Sequence, residues 1–108
     1  MDIVKFEDFK KLEIRIGKII NAEKIEGADR LLKLEVDFSD FKRQIVSGIA
    51  LFYKPEELIG KKCPFLVNLE PRTFKGVESQ GMILAVGVDE EAVLMHPDKD
   101  VVEGSLIR

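Results

Sequence analysis

Apolar and polar residues alternate with a period of two through the first half of the chain, a pattern typical of half-buried β-strands. The alternation extends over residues 12–16, 32–38 and 42–49 and therefore predicts three strands. Lys18 falls where the first strand needs an apolar side chain. We therefore expect a bend or β-bulge near Gly17, which would restore the register of the apolar residues that follow.

Residues 53–60 interrupt the alternation and predict one or two helical turns. Pro55 suits the first position of a helix, and Gly60 suits its end. A second short helix is predicted over residues 4–11, where two phenylalanines have helical spacing.

Two apolar strands are predicted after the central helix, at residues 65–69 and 82–88. Both are apolar at consecutive positions, as expected of strands that are covered on both faces. Residues 92–95 and 105–107 predict short terminal strands.

The order of three strands, a short helix and two further strands matches an oligonucleotide/oligosaccharide-binding (OB) barrel. We therefore predict an all-β fold, a five-stranded OB-fold barrel with a short helix between strands 3 and 4 and extra C-terminal strands. We expect residues 1–108 to form a single domain. Periodicity alone leaves an SH3-like barrel or another small β-barrel open. The extra strands either extend the core or pair with a second subunit.

The composition is that of a globular protein. Of the 108 residues, 45% are apolar and 34% are charged, which argues against an intrinsically disordered chain. The longest apolar run is about a third as long as a membrane span, and residues 1–20 do not resemble a signal peptide. Cys63 is the sole cysteine, so no internal disulfide can form. We expect a cytoplasmic protein with no membrane partner.

The acidic residues gather near the C-terminus. The net charge is −3, but residues 89–108 hold six acidic and two basic residues, which leaves the first 88 residues with a net charge of +1. The span 61–82 contains four basic and two acidic residues. A modest local positive field is therefore compatible with an acidic protein.

The segment between the last two apolar strands, residues 68–81, is rich in groups that bind nucleic acid. Arg72 and Lys75 are cations that neutralise phosphate, while amide and hydroxyl side chains such as Ser79 and Gln80 form hydrogen bonds with sugars and bases. A plain long hairpin loop would use some of the same residues, and physical chemistry alone does not decide between the two interpretations.

No catalytic or metal site is predicted. His96 is the sole histidine and lies thirty-three positions after Cys63, so a clustered zinc site is excluded, and we expect Cys63 to be a small buried hydrophobe. The acidic groups at 89–91 and 98–103 lack the spacing of a calcium-binding loop. Tyr53 and Phe74 are the candidate platforms for base stacking. We predict no enzymatic activity and no cofactor.

Six motifs together make the chain resemble the tRNA-binding domain family, which includes the C-terminal domain of methionyl-tRNA synthetase and free-standing tRNA-binding proteins. The resemblance covers residues 6–107. The motifs, in order, are Leu12-Glu13-Ile14-Arg15-Ile16-Gly17-Lys18-Ile19, Ala28-Asp29-Arg30-Leu31, Arg43-Gln44-Ile45-Val46-Ser47-Gly48-Ile49, Pro55-Glu56-Glu57-Leu58-Ile59-Gly60-Lys61, Asn68-Leu69-Glu70-Pro71-Arg72 and Gly76-Val77-Glu78-Ser79-Gln80-Gly81-Met82-Ile83-Leu84-Ala85.

The resemblance implies a non-catalytic module that recognises the shape and backbone of folded tRNA near its outer corner. It leaves three forms open: a C-terminal domain of methionyl-tRNA synthetase, a separate β-subunit of that enzyme, or a free-standing tRNA-binding protein. It also implies a homodimer formed through the C-terminal strands, and methionyl-tRNA synthetase as a possible partner. The residues that it implies for contact with tRNA are Arg43, Ser47, Asn68, Arg72, Lys75, Ser79, Gln80 and Met82.

Two features qualify the resemblance. The family usually has a basic residue between the leucine and proline of the strand-four turn, where this chain has Glu70. The export-chaperone branch lacks the Arg43–Gly48 pattern, so the methionyl-synthetase branch fits better. The alternative to RNA binding is a protein–protein module, either an export-type chaperone or an adaptor in a synthetase complex.

Overall fold

The computed structural model describes all residues from Met1 to Arg108. Two short helices and nine strands follow one another along the chain. Their bounds are α1 Phe6–Phe9, β1 Ile14–Ile25, β2 Ala28–Asp37, β3 Lys42–Ser47, α2 Pro55–Leu58, β4 Lys62–Leu66, β5 Arg72–Phe74, β6 Val77–Ser79, β7 Met82–Ile83, β8 Ala85–Val88 and β9 Glu91–Leu94.

The main sheet has five antiparallel strands in the order β3-β2-β1-β4-β7. Two separate hairpins, β5–β6 and β8–β9, extend from it. The predicted all-β architecture is confirmed, with α2 between the third and fourth strands as expected. The backbone ladder of the main sheet is open, and its closure into an OB barrel stays a prediction.

The alternation predicted for the second strand is confirmed by its burial. Leu32, Leu34 and Val36 are fully buried, and Phe38 packs edge-on against Phe65 with 5.6 Å between ring centroids. These residues belong to a core cluster of 13 buried side chains. A continuous core of this kind supplies most of the free energy that holds a small domain together.

The first strand differs from its prediction in where its register changes. β1 runs through Gly17 without a break, and the irregularity in its pairing with β2 lies between Ile19 and Asn21. Ile16, Gly17 and Ile19 are buried, whereas Ile20 is only half-buried. Gly17 is required where β1 crosses the core, because a Cβ there would overlap Val36.

The last two predicted strands are partly wrong. The fourth strand lies at Lys62–Leu66, not 65–69, and the span 82–88 is divided between β7 of the main sheet and β8 of a hairpin. Val86 and Val88 are about half exposed, so this span is not covered on both faces. The predicted strand at 105–107 is reduced to a single bridge between Leu106 and Arg15.

The C-terminal segment, residues 100–107, is tied to β4 by a charged contact and to β1 by backbone hydrogen bonds such as that from the Ile107 N–H to the Ile14 carbonyl oxygen. The Lys62 ammonium lies 2.8 Å from the Asp100 carboxylate and 3.1 Å from the Glu103 carboxylate. Hydrogen bonds with these two groups raise the pKa of Lys62, and the same contacts lower the pKa of each carboxyl. The contact holds the segment beside an apolar groove of about 440 Å³ that Ile14, Leu106 and other residues line.

Candidate nucleic-acid interface

The segment predicted as a turn folds into the β5–β6 hairpin, which carries the proposed cations. Arg72 pairs with Ser79 and Phe74 with Val77 in its ladder. Lys75 stands at the tip with a φ of 51°, in the left-handed region that non-glycine residues seldom adopt. The hairpin turn therefore presents an exposed cation at its tip.

Arg72 is exposed, and its guanidinium carbon lies 4.9 Å from the centroid of the Phe74 ring. This stacking orients the guanidinium without occupying its N–H donors. Arg72 takes part in none of the salt bridges of the chain, so its charge is available to a phosphate.

Ser79 and Gln80 join the hairpin to the edge of β3. The buried Ser79 hydroxyl accepts a hydrogen bond from the Val46 N–H at 2.9 Å and donates one to the Gly81 carbonyl oxygen at 2.9 Å. The Gln80 side-chain oxygen accepts from the Gln44 N–H at 3.0 Å, and the Gln80 N–H donates to the Gln44 carbonyl oxygen. Both predicted site residues thus have structural partners within the chain.

Gly81 has a positive φ of 140° where the chain passes from the hairpin to β7. A Cβ at this position would lie 2.6 Å from the Leu66 carbonyl oxygen, closer than any non-bonded contact allows. The glycine therefore lets β7 approach the end of β4. The side chain that follows, Met82, is 43% exposed, in contrast to the usual core role of a methionine in a strand.

Asn68 also has its side-chain amide engaged. Its oxygen accepts a hydrogen bond from the Glu13 N–H at 2.8 Å, and its nitrogen donates to the Lys11 carbonyl oxygen at 2.6 Å. The amide thus clamps the residues before β1 to the end of the segment that follows β4. A role of Asn68 in tRNA contact stays a prediction.

The two predicted site residues on β3, Arg43 and Ser47, do not line the small pocket beside the β5–β6 hairpin. Arg43 is half-buried, stacks on the Phe41 ring at 5.0 Å and lines a polar cleft with Gln44 and charged residues of β1 and β2. Ser47 is the last residue of β3 and is half-buried. By contrast, Arg72, Ser79 and Met82 line one small pocket, together with Glu70 and four other residues.

The two candidate platforms for base stacking, Tyr53 and Phe74, differ in whether their rings are free to stack on a base. The Tyr53 hydroxyl accepts a hydrogen bond from the Leu94 N–H at 3.2 Å, and its ring packs against the core, so Tyr53 is not available as a platform. Phe74 remains half-exposed beside Arg72. Gln44 and Glu70 lie within the sequence motifs but were not among the predicted tRNA contacts; the Gln44 amide nitrogen donates to the Glu78 carbonyl oxygen, and Glu70 lines the pocket with Arg72.

Cys63 and His96 lie in contact, with 3.7 Å between Sγ and Nδ1. The same Nδ1 lies 2.9 Å from the Lys62 carbonyl oxygen, which only accepts, so Nδ1 carries a proton and is not a base for the thiol. Burial raises the pKa of Cys63 to about 11. Cys63 is fully buried, as the sequence predicted, and its thiol stays protonated at neutral pH.

No group of three or more histidine, cysteine, aspartate or glutamate side chains is placed to hold a metal ion. Neither of the two helices is long and apolar enough to cross a membrane.

Comparison with known proteins supports the resemblance seen in the sequence. The methionine–tRNA ligase of Archaeoglobus fulgidus is 52% identical over 96% of this chain, and that of Methanothrix thermoacetophila is 50% identical over 98%. The chain spans 16% of the length of each of these relatives.

Solved structures match over the whole chain. The crystal structure of a MetRS-related protein from Pyrococcus horikoshii has a TM-score of 0.94 and 39% identity and covers 100% of both chains. The chaperone CsaA from Bacillus anthracis has a TM-score of 0.89 and 33% identity and covers 99% of this chain and 100% of its own. The family model described as "Putative tRNA binding domain" matches residues 14–106, and the chain therefore belongs to the tRNA-binding domain family.

Proposed function

We propose that residues 1–108 form one domain that binds folded tRNA and increases the hold of a methionyl-tRNA synthetase on its substrate. The observation that carries the proposal is the β5–β6 hairpin, which presents Arg72 and Lys75 to solvent beside the exposed Met82. Cations bind the phosphates of the RNA, while exposed apolar side chains pack against bases. The relatives named as methionine–tRNA ligases support the choice of synthetase.

The proposed surface extends from the hairpin to the edge of β3, which carries Arg43 and Ser47. Hydrogen bonds from Gln44 and Val46 to residues 79–80 hold the two parts in a fixed relation. A surface fixed in this way suits a partner of fixed shape, so we expect folded tRNA to bind more tightly than an unstructured RNA of equal length.

The test is a titration of the protein with folded tRNA across a range of salt concentrations. If Arg72 and Lys75 each neutralise one phosphate, the double variant Arg72→Glu/Lys75→Glu should bind much more weakly. A milder variant, Arg72→Gln/Lys75→Gln, should reduce the slope of log K against log salt by about 1.4–1.8. A scrambled-sequence RNA of the same length should bind more weakly to the native protein.

The matched control is Lys54→Glu/Lys99→Glu, which makes the same charge change at two exposed positions away from the hairpin. It should retain most of the tRNA affinity. Equal losses in both charge-reversed variants would assign the effect to net charge and refute a site at the hairpin. No binding of tRNA at low salt would favour the protein–protein alternative.

We propose that the domain acts as a homodimer that forms through the apolar groove beside the C-terminal segment. Leu106 is 51% exposed there, and Ile107 and Met95 are also partly exposed around it. Burial of these side chains against a second copy would remove apolar surface from water. Two copies would also present two tRNA surfaces, which increases the overall affinity for a partner that reaches both.

The mass of the protein in solution tests the dimer, since one chain has a mass of 12.2 kDa. We expect twice that mass by light scattering for the native protein and for Leu51→Asp, which alters an exposed leucine outside the groove. Leu106→Asp should give the monomer mass. A native protein that is monomeric at tens of micromolar would refute this part of the proposal.

A further inference from the structure

A small pocket lies between the β5–β6 hairpin and the start of β7. Its volume is about 100 Å³, which is the share of roughly three molecules of liquid water. Val46 is buried at its base, whereas Leu69 and Met82 are partly exposed at its mouth. With these apolar side chains around it, the pocket suits the edge of a single planar ring.

The polar groups of the pocket differ in whether they are free. The Ser79 hydroxyl already has a donor and an acceptor within the chain. Glu70 and Arg72 line the same pocket and take part in none of the salt bridges of the chain. The pocket therefore offers one carboxylate that only accepts hydrogen bonds and one guanidinium that only donates them.

We propose that this pocket holds one unstacked guanine of the bound RNA and that Glu70 selects it; the inference rests on the tRNA-binding function proposed above. Single-stranded and loop bases are recognised through stacking and through their Watson–Crick edges. The edge of guanine presents two adjacent donors, the N1–H and the N2 amino group, which match the two oxygens of a carboxylate.

The other three bases fit the Glu70 carboxylate less well. Adenine and cytosine each present one amino group beside a ring nitrogen that accepts, and uracil presents one N–H between two carbonyl oxygens. Each of these acceptors would face a negatively charged oxygen and repel it. Glu70 thus provides specificity both by its attraction to guanine and by its repulsion of the alternatives.

Arg72 explains how an acidic residue is tolerated on a surface that binds phosphate. Its guanidinium is held over the Phe74 ring at 4.9 Å, beside the pocket that Glu70 lines. A phosphate that binds Arg72 therefore places the attached base near the pocket. Because Glu70 is exposed, we expect a preference of about five- to tenfold, the lower end of the discrimination that a bidentate base contact gives.

The four ribonucleoside 5′-monophosphates are suitable probes, because they share the same phosphate and differ in the base. Protein labelled with ¹³C in the methionine methyl groups gives three resonances, since the chain has three methionines. Met82 lines the pocket, and Met95 lines the separate apolar groove and serves as an internal reference. We expect GMP to shift the Met82 resonance at a five- to tenfold lower concentration than AMP, CMP or UMP, without a shift of Met95.

Glu70→Gln keeps the size of the side chain but replaces one acceptor oxygen with a donor, so the preference for GMP should fall below twofold. Glu78→Gln is the matched control, because it removes an exposed carboxylate of β6 that does not line the pocket. It should retain the preference. Equal responses to the four nucleotides, or a preference that survives in Glu70→Gln, would overturn the inference.

A parallel titration with folded tRNA separates this inference from the proposed function. If tRNA binds in a salt-dependent manner but the nucleotides are not distinguished, the guanine pocket is refuted and the tRNA-binding function stands. If tRNA does not bind at all, the function itself is refuted. In both titrations the protein used is the full chain.

Discussion

Replacement of Ser79 by alanine should destabilise the fold more than it weakens the affinity of the folded protein for tRNA. The Ser79 side chain is 3% exposed and is engaged in two hydrogen bonds of 2.9 Å, one from the Val46 N–H and one to the Gly81 carbonyl oxygen. Alanine would leave the N–H of the buried Val46 without an acceptor and the carbonyl oxygen without this donor.

The expected loss follows from these two groups. A buried donor without a partner costs about 1–3 kcal/mol, whereas a carbonyl oxygen without a donor is tolerated more easily. We therefore expect the free energy of unfolding to fall by about 2 kcal/mol. In a domain of this size, a loss of that magnitude lowers Tm by roughly 8–16 °C.

Urea unfolding measures this loss directly, and the dependence on urea should keep its slope because the surface exposed on unfolding is unchanged. Ser47→Ala is the matched control. Ser47 is half-buried on β3 and takes no part in the bonds that join β3 to the hairpin. Its replacement should change the stability by less than about 0.5 kcal/mol.

The two variants should also differ in tRNA binding. At a temperature where both are folded, Ser79→Ala should bind tRNA about as tightly as the native protein, while Ser47→Ala should bind it more weakly. An unfolding free energy of Ser79→Ala within 0.5 kcal/mol of the native value would refute the structural argument. A loss of affinity at unchanged stability would make the Ser79 hydroxyl an RNA contact instead.

Three further outcomes are expected. Hydrogen bonds with Lys62 lower the pKa of Asp100. The ionised carboxylate therefore stabilises the fold above its unfolded-state pKa, and this stabilisation is lost as the pH falls through the lower folded-state pKa. Asp100→Asn should unfold at a lower urea concentration than the native protein at pH 7, and the difference should vanish in strong acid. Cys63, with its pKa raised to about 11, should react with a thiol reagent at pH 8 only in denaturant, and labelling of the native protein within minutes would contradict its burial. Gly17→Ala should lower the free energy of unfolding by about 1–3 kcal/mol through overpacking, since its Cβ would lie 2.6 Å from the Phe38 ring. A Tm measured by circular dichroism within 2 °C of the native value would contradict this and show that the core accommodates the added methyl group.

The sequence predicts best those strands in which buried and exposed residues alternate with one constant period. β2 buries every second residue from Leu32 to Val36, so alternation located this part of the strand and its core residues, whereas the exposed Arg30 interrupts the pattern nearer its start. β1 changes partners from β4 to β2 near Lys18, and its buried face changes there, which a fixed period does not reproduce. The two strands of the β5–β6 hairpin escape prediction because they have three residues each and no continuous apolar face.

The sequence predicts which types of residue form the site better than it predicts what each residue does there. The exposure of Arg72 and Lys75 follows from their charge. The partners of Ser79 and Asn68, in contrast, lie 33 and 55 residues away along the chain, so their hydrogen bonds depend on the completed fold. Which of these residues contact RNA stays a prediction.

The clamp formed by the Asn68 amide couples the entry of the chain to the start of the proposed RNA surface. Lys11 and Glu13 bind the two ends of one planar amide group, so the entropic cost of ordering a single side chain secures two contacts with the residues before β1. A displacement of the residues before β1 is therefore transmitted to the segment that leads into the hairpin. A load on the start of the chain would thus act on the segment that leads to Arg72 and Lys75, the two cations proposed to bind RNA.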